Sequence, residues 1–196
     1  MGTALRGATR FPDGTLVRGR SLRDPLPDGP LPDYGLYLVG PWRQRRRRRR
    51  FGPGWEADWI AWPDFRLPAD PQQAARAILE AFRRAHEGGR VEVACRGGSG
   101  RTGTVLACMA ALAGVPAAQA VAWVRANYRA RAVETRRQRA WIEWFAGQEG
   151  GSWTSARLQF WLQFAHPYLA AAGRSSGRRP RGAGPREPRR RSGPRW

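Results

Sequence analysis

Val91-Glu92-Val93-Ala94-Cys95-Arg96-Gly97-Gly98-Ser99-Gly100-Arg101-Thr102-Gly103 reads as a β-strand, a glycine-rich turn and the opening of a helix. A cysteine ends the strand, and an arginine follows six positions later at the helix N-terminus. Glycines let backbone N–H groups converge with no side chain in the way, which makes an anion cradle of Arg96, Gly97, Gly98, Ser99 and Gly100. The helix terminus adds positive potential at the same point. Arg101 supplies a planar fork able to hold two phosphate oxygens. In such a field a thiol is favoured as its thiolate, so nucleophile and phosphate holder come from one loop.

Working outward, the flanking segments alternate strand and helix. YGLYLV (34–39) and DWIAW (58–62) read as strands, whereas residues 11–33, rich in Pro, Asp and Gly, read as turns. Asp70-Pro71 is a helix start; Ala74, Ala75, Ile78, Leu79 and Phe82 follow at a spacing near 3.6, and Gly88-Gly89 is the stop. TGTVLACMAALAGV forms an apolar helix that ends at Gly114, and Pro116 opens another with Val121 and Val124 facing inward. A further helix is expected from about Thr135 to Phe145, and residues 152–169 suggest a last aromatic helix packed on the domain. This alternation predicts an α/β fold with a mostly parallel central sheet flanked by helices. The strands before Asp64 and Cys95 are joined by one helix, so they run parallel and bring both residues to one sheet edge.

The pattern C-x5-R followed by Thr-Gly resembles the signature of the cysteine-dependent protein tyrosine phosphatases, especially the compact dual-specificity-like bacterial and archaeal branch. Trp62-Pro63-Asp64, with Asp64 placed 31 residues before Cys95, resembles the acid-bearing loop of that family. VRANYRARAVETRRQ (124–138) resembles the segment that follows the signature in its small members. Together these matches span about residues 57–146. One departure is Ala94, where many members carry His; Arg96 compensates in part.

The resemblance implies a two-step phosphoryl transfer with no metal or cofactor. Cys95 attacks phosphorus to form a cysteinyl-phosphate while Arg101 and the loop amides hold the equatorial oxygens. Asp64 protonates the leaving oxygen and later activates water. By resemblance, the Thr102 hydroxyl stabilises the departing thiolate and Gln138 positions the water. The expected substrates are phosphorylated proteins or small phosphomonoesters, with phosphotyrosine, phosphoserine or phosphothreonine, a phosphoinositide and an RNA 5′-phosphate all left open by the sequence. Cys108 lies mid-helix on an apolar face, about 12 Å along from the loop, and is read as core rather than as a disulfide partner of Cys95. His86 and His166 receive no role.

Two rival readings account for parts of the loop. A nucleotide-binding loop requires Gly five residues before a Gly-Lys pair, and here those places hold Cys95 and Gly100-Arg101. A non-catalytic phosphate-binding module, using Arg-rich segments to hold nucleic acid or acidic partners, is disfavoured by the joint presence of Cys95, Asp64, Arg101 and Thr102.

The chain has 196 residues and a formal charge of +20, every basic residue being Arg. Residues 43–50 carry +7 and residues 173–196 carry +8, which leaves +5 for the rest. The basic balance therefore describes two segments, not the domain. We expect a phosphatase-like domain over 1–172 and a disordered basic tail over 173–196. Both Arg-rich segments would attract anions, but no nucleic-acid module accompanies them, so nucleic acid is not an expected partner. A spanning helix, a secretory signal and a myristoylation motif are not expected, and two cysteines suit a reducing cytoplasm.

Overall fold

A computed structural model of the chain describes residues 3–40 and 53–147. Among the described residues five strands form one sheet: β1 (Ala8–Arg10), β2 (Leu16–Ser21), β3 (Tyr34–Val39), β4 (Glu56–Ala61) and β5 (Val91–Cys95). Their order is β1-β2-β5-β3-β4, with β2, β5, β3 and β4 mutually parallel and β1 antiparallel at the edge. β3 and β5 are buried at every position, which is why they read as near-continuous apolar runs. Among the described residues four helices accompany the sheet: α1 (Pro71–His86), α2 (Gly100–Leu112), α3 (Ala117–Asn127) and α4 (Arg136–Gly147). The expected α/β architecture with a mostly parallel sheet is the one observed.

Local chemistry accounts for the helix starts. Asp70 accepts the Gln73 N–H at 2.9 Å, and Pro71, lacking an N–H to satisfy, fits the first helical turn. Ala74, Ile78, Leu79 and Phe82 form the buried face of α1. Phe11 meets Phe82 edge-on at 6.3 Å and stacks on Trp123 of α3 at 5.1 Å, tying the N-terminal segment to two helices. α2 is buried along its whole length, with Cys108 fully enclosed and both cysteines free. In α3 the inward positions are Ala120 and Val124; Val121 is only half-buried, because the helix turns that position toward its flank.

The region 11–33, expected as turns, contains the central-sheet strand β2, and β1 precedes it. β2 (LVRGRS) escapes a hydrophobic reading because two of its buried positions are Arg18 and Arg20. Both bond the carboxylate of Glu92 on β5, each through Nε at 2.8 Å, and Tyr37 donates to the same carboxylate at 3.2 Å. Charge inside a strand is tolerated here because the next strand supplies the counter-charge. β4 begins two residues earlier than expected and ends at Ala61. The segment 152–169, the Arg run 43–50 and the 172/173 domain boundary lie outside the described residues.

Two strand pairings set where the residues that follow β4 and end β5 can meet. Leu38 of β3 lies opposite Cys95 and Val39 opposite Ala61, so β4 and β5 end on the same edge, either side of β3.

Candidate active site

β5 delivers Cys95 to that edge, where its thiol is almost enclosed and its Sγ accepts the Gly98 N–H at 3.2 Å. Gly98 has φ +74° and its backbone lies against Ser21, so a side chain there would be both strained and obstructed. The loop's carbonyls are held outward one by one. Ser21 donates its hydroxyl to the Arg96 carbonyl at 3.0 Å, Arg129 donates Nη1 to Gly97 at 3.1 Å, and Tyr128 donates its hydroxyl to Gly98 at 2.6 Å. Burial raises the Tyr128 phenol well above its ordinary value, the Arg129 charge opposing, so it remains a donor. With three successive carbonyls tethered outside, the peptide planes turn their N–H groups toward the interior of the loop.

α2 begins at Gly100, and its first N–H groups lack intrahelical acceptors, as at any helix start. Arg101 is 4% exposed; its Nη1 donates to the Trp62 carbonyl at 2.7 Å and its Nη2 to the Asp64 carboxylate. The other N–H donors of the planar group stay available to an anion. Trp62 is fully buried, bonds Val39 through its N–H, and donates Nε1 to the Arg66 carbonyl at 2.8 Å. It packs on Trp141 of α4 with centroids 5.1 Å apart. The loop carrying Asp64 is thus stapled at its base, while the Asp64 side chain is half exposed. Phe65, next along, has φ +59° and is mostly exposed.

A cleft of about 320 Å3 lies over this arrangement, lined by Asp64, Cys95, Arg96, Arg101, Glu134 and Gln138 among others. Gly97, Ser99 and Gly100 also reach it. Gln138 is fully buried; its Oε1 accepts the N–H groups of Glu134 (2.8 Å) and Thr135 (3.1 Å), leaving Nε2 with no hydrogen-bond partner among the described residues. Nε2 points at Gly100, where any side chain would crowd Gln138 and overlap Glu134. Val133, also at positive φ (+60°), is held by Arg125, which donates to the carbonyls of Ala132 and Val133. Such strain in a β-branched residue, beside a cleft, is characteristic of functional loops.

These geometries bring together Cys95, Arg101, Asp64, Gln138 and the loop 96–100. Thr102 is buried at the base, and its hydroxyl makes no hydrogen bond among the described residues, to Cys95 included. A family model described as Swiss Army Knife protein, DSP-PTPase phosphatase domain (PTP-SAK), matches residues 59–142. That stretch is similar to dual-specificity-type phosphatase domains.

Solved structures share the fold. Tk-PTP in its active form superposes with a TM-score of 0.53 at 24% identity, covering 72% of this chain and 97% of that one. Kinase associated phosphatase, with its catalytic-site cysteine replaced by serine, gives 0.55 at 14% identity, covering 76% and 97%. At these identities the likeness is one of fold. No curated protein sequence matches the chain.

The sequence reading missed several residues of this cleft. Glu134, Tyr128 and Arg129 lie inside the stretch 124–138 that carried the resemblance, and Glu134 stands two residues ahead of α4. Ser21 and Arg23 carried no signal, since β2 itself was not recognised. Ala94, which replaces the usual His, packs with Tyr37, Val39 and Trp59 on the sheet face away from α2.

Proposed function

We propose that this protein is a phosphoric monoester hydrolase acting on phosphorylated proteins, on phosphotyrosine first and on phosphoserine and phosphothreonine as well. The observation that carries the reading is the convergence of Cys95 Sγ, the Gly98 N–H, the Arg101 guanidinium and the Asp64 carboxylate on one cleft.

Cys95 attacks phosphorus in line with the leaving oxygen, so the S–P bond forms as the P–O bond breaks. The equatorial oxygens lie against the loop amides of Arg96 to Gly100 and the free N–H groups of Arg101. Asp64 gives its proton to the leaving oxygen, then takes a proton from the water that attacks the cysteinyl-phosphate. The Gln138 amide, with its Nε2 free and its Oε1 anchored by two backbone N–H groups, is built to orient that water. The Thr102 hydroxyl, buried and without a hydrogen-bond partner among the described residues, supports the released thiolate in this reading. The chemistry needs Cys95 reduced, which the cytoplasm provides.

Turnover of p-nitrophenyl phosphate by the wild-type protein, abolished in Cys95→Ser, tests the reading, together with mass-spectrometric trapping of a phosphothiol. Absence of turnover by pure, folded wild type would leave a phosphate-binding module instead.

A further inference from the structure

Residues 24–33 read Asp-Pro-Leu-Pro-Asp-Gly-Pro-Leu-Pro-Asp, so that Pro-Leu-Pro-Asp occurs twice, at 25–28 and at 30–33. The segment joins β2 to β3 and holds three aspartates and no basic residue, in a chain whose formal charge is +20. Leu26 is 36% exposed and Leu31 50%, which makes them two of only four large apolar side chains exposed among the described residues. A single exposed leucine carries no information. Two of them, each set between prolines in the same tetrapeptide, do.

Proline fixes φ near −65° and turns the residue before it away from helical geometry. Each Pro-Leu-Pro unit is therefore biased toward one turn of polyproline II helix, whose backbone groups face outward rather than each other. Residues 24–32 accordingly make no backbone–backbone hydrogen bond among the described residues. Gly29, at φ +111°, sets a kink between the two units. Both ends are held. Arg20 donates Nη1 to the Asp24 carbonyl at 3.4 Å. Asp33 donates its N–H to the Arg90 carbonyl at 2.8 Å, and its carboxylate accepts the Arg90 N–H at 2.9 Å and Nε at 3.0 Å. Stiff along its length and fixed at both ends, the strap loses little further freedom when it is bound. Leu22, two residues ahead of it, donates its N–H to the Cys95 carbonyl at 2.8 Å, so the first unit starts beside the phosphate loop.

We propose that residues 24–33 are a docking strap for a partner protein whose groove is lined by aromatic side chains and rimmed by lysine or arginine. Such grooves take polyproline II segments because the prolines are already shaped to lie on aromatic rings and the outward carbonyls accept hydrogen bonds from the groove. Leu26 and Leu31 supply the apolar side chain between each pair of prolines. Asp33 and Asp24 have arginine neighbours in this chain, Arg90 and Arg129, whereas Asp28 has no ion pair among the described residues and is left for the basic rim. A partner seated on the first unit lies next to the cleft, which raises the effective concentration there of any phosphorylated segment it carries. The strap itself does not depend on the phosphatase reading.

The probes are purified proline-binding domains with aromatic grooves, of the SH3, WW and EVH1 types, titrated by calorimetry into the full-length protein. Saturable binding of at least one type is expected, about tenfold or more weaker for the double variant Leu26→Ser, Leu31→Ser, and weaker for Asp28→Asn as well. Because these side chains are exposed, both variants should keep the wild-type melting temperature and the wild-type turnover of p-nitrophenyl phosphate. Binding to Cys95→Ser at wild-type strength, undisturbed by inorganic phosphate, separates docking on the strap from capture in the cleft, so failure of the catalytic reading would not be mistaken for failure of this one. No binding by any of the three types, binding that phosphate displaces, or equal binding by wild type and the double variant overturns the strap. A dimer of this chain in sedimentation, lost in the double variant, makes a second copy the occupant and overturns the assigned partner.

Discussion

The guanidinium of Arg101 is ion-paired with the carboxylate of Asp64, though 37 positions separate them in the chain. The two partners differ in burial: Arg101 is enclosed, with a side-chain exposure of 4%, and Asp64 is half exposed at 50%. Arg101 is therefore the fixed member, held also by the Trp62 carbonyl, and Asp64 is the member free to turn toward a leaving group at the mouth of the cleft.

Asp64→Asn keeps the shape and removes the proton. It should lower kcat by about 10^2-fold or more on phenyl phosphate, with less effect on p-nitrophenyl phosphate, whose leaving group needs little protonation. KM should stay near the wild-type value. Equal rates for variant and wild type on phenyl phosphate would take Asp64 out of the reaction.

The outward tethering of the loop carbonyls is tested at Tyr128. Tyr128→Phe removes the hydrogen bond to the Gly98 carbonyl and leaves the ring packing intact. It should cost about 1 kcal/mol of stability and about tenfold in kcat, as loop amides drift from the phosphate oxygens. Inhibition by inorganic phosphate should weaken in parallel. A variant with altered melting but wild-type kcat and phosphate inhibition would show the hydroxyl to be structural only.

Glu92 is shared by two buried arginines, Arg18 and Arg20. Glu92→Gln leaves both without that charge in the sheet interior, and removing one partner of a buried pair costs about 3–5 kcal/mol. Urea unfolding monitored by tryptophan fluorescence gives the value; a loss below about 1 kcal/mol would mean that water or other groups reach the arginines.

Burial pushes the Cys108 thiol well above its ordinary value, so at neutral pH it stays protonated as well as enclosed. Iodoacetamide should add once to the native protein, at Cys95, more slowly in the presence of phosphate, and twice after denaturation. Two rapid additions to the native protein would contradict the enclosed position of Cys108.

Glu80 on α1 is raised by burial, but hydrogen bonds from Arg83 and Arg84 outweigh this and hold it below its ordinary value. A carboxyl depressed on folding stabilises the fold above its unfolded value and loses that contribution as pH falls through the lower folded one. Glu80→Gln should accordingly lower the melting temperature at pH 7 and have little effect at pH 3. An equal drop at both pH values would assign the effect to packing.

Much of this protein is legible along the chain wherever the information is local. The strand–turn–helix at 91–103 announces itself because a buried parallel strand is uniformly apolar, an anion loop needs glycine, and a helix start needs free N–H groups. The same holds for α1, whose cap, proline and apolar spacing are neighbours in sequence. The order of Asp64, Cys95 and Arg101 on one sheet edge also follows from a single strand–helix–strand unit.

What the tertiary structure alone decided are the features whose partners lie far apart. β2 looks like a charged turn until Glu92 arrives from 72 and 74 residues away to pair with Arg20 and Arg18. Ser21, Tyr128 and Arg129 become loop supports only once β2 and the end of α3 flank the same glycines. The sequence alone determined the chemistry of the loop, because backbone geometry and side-chain type are written in consecutive residues. The fold determined how rigidly that loop is held and what charge surrounds it, because hydrogen bonds and ion pairs across the sheet depend on register, which no local pattern encodes.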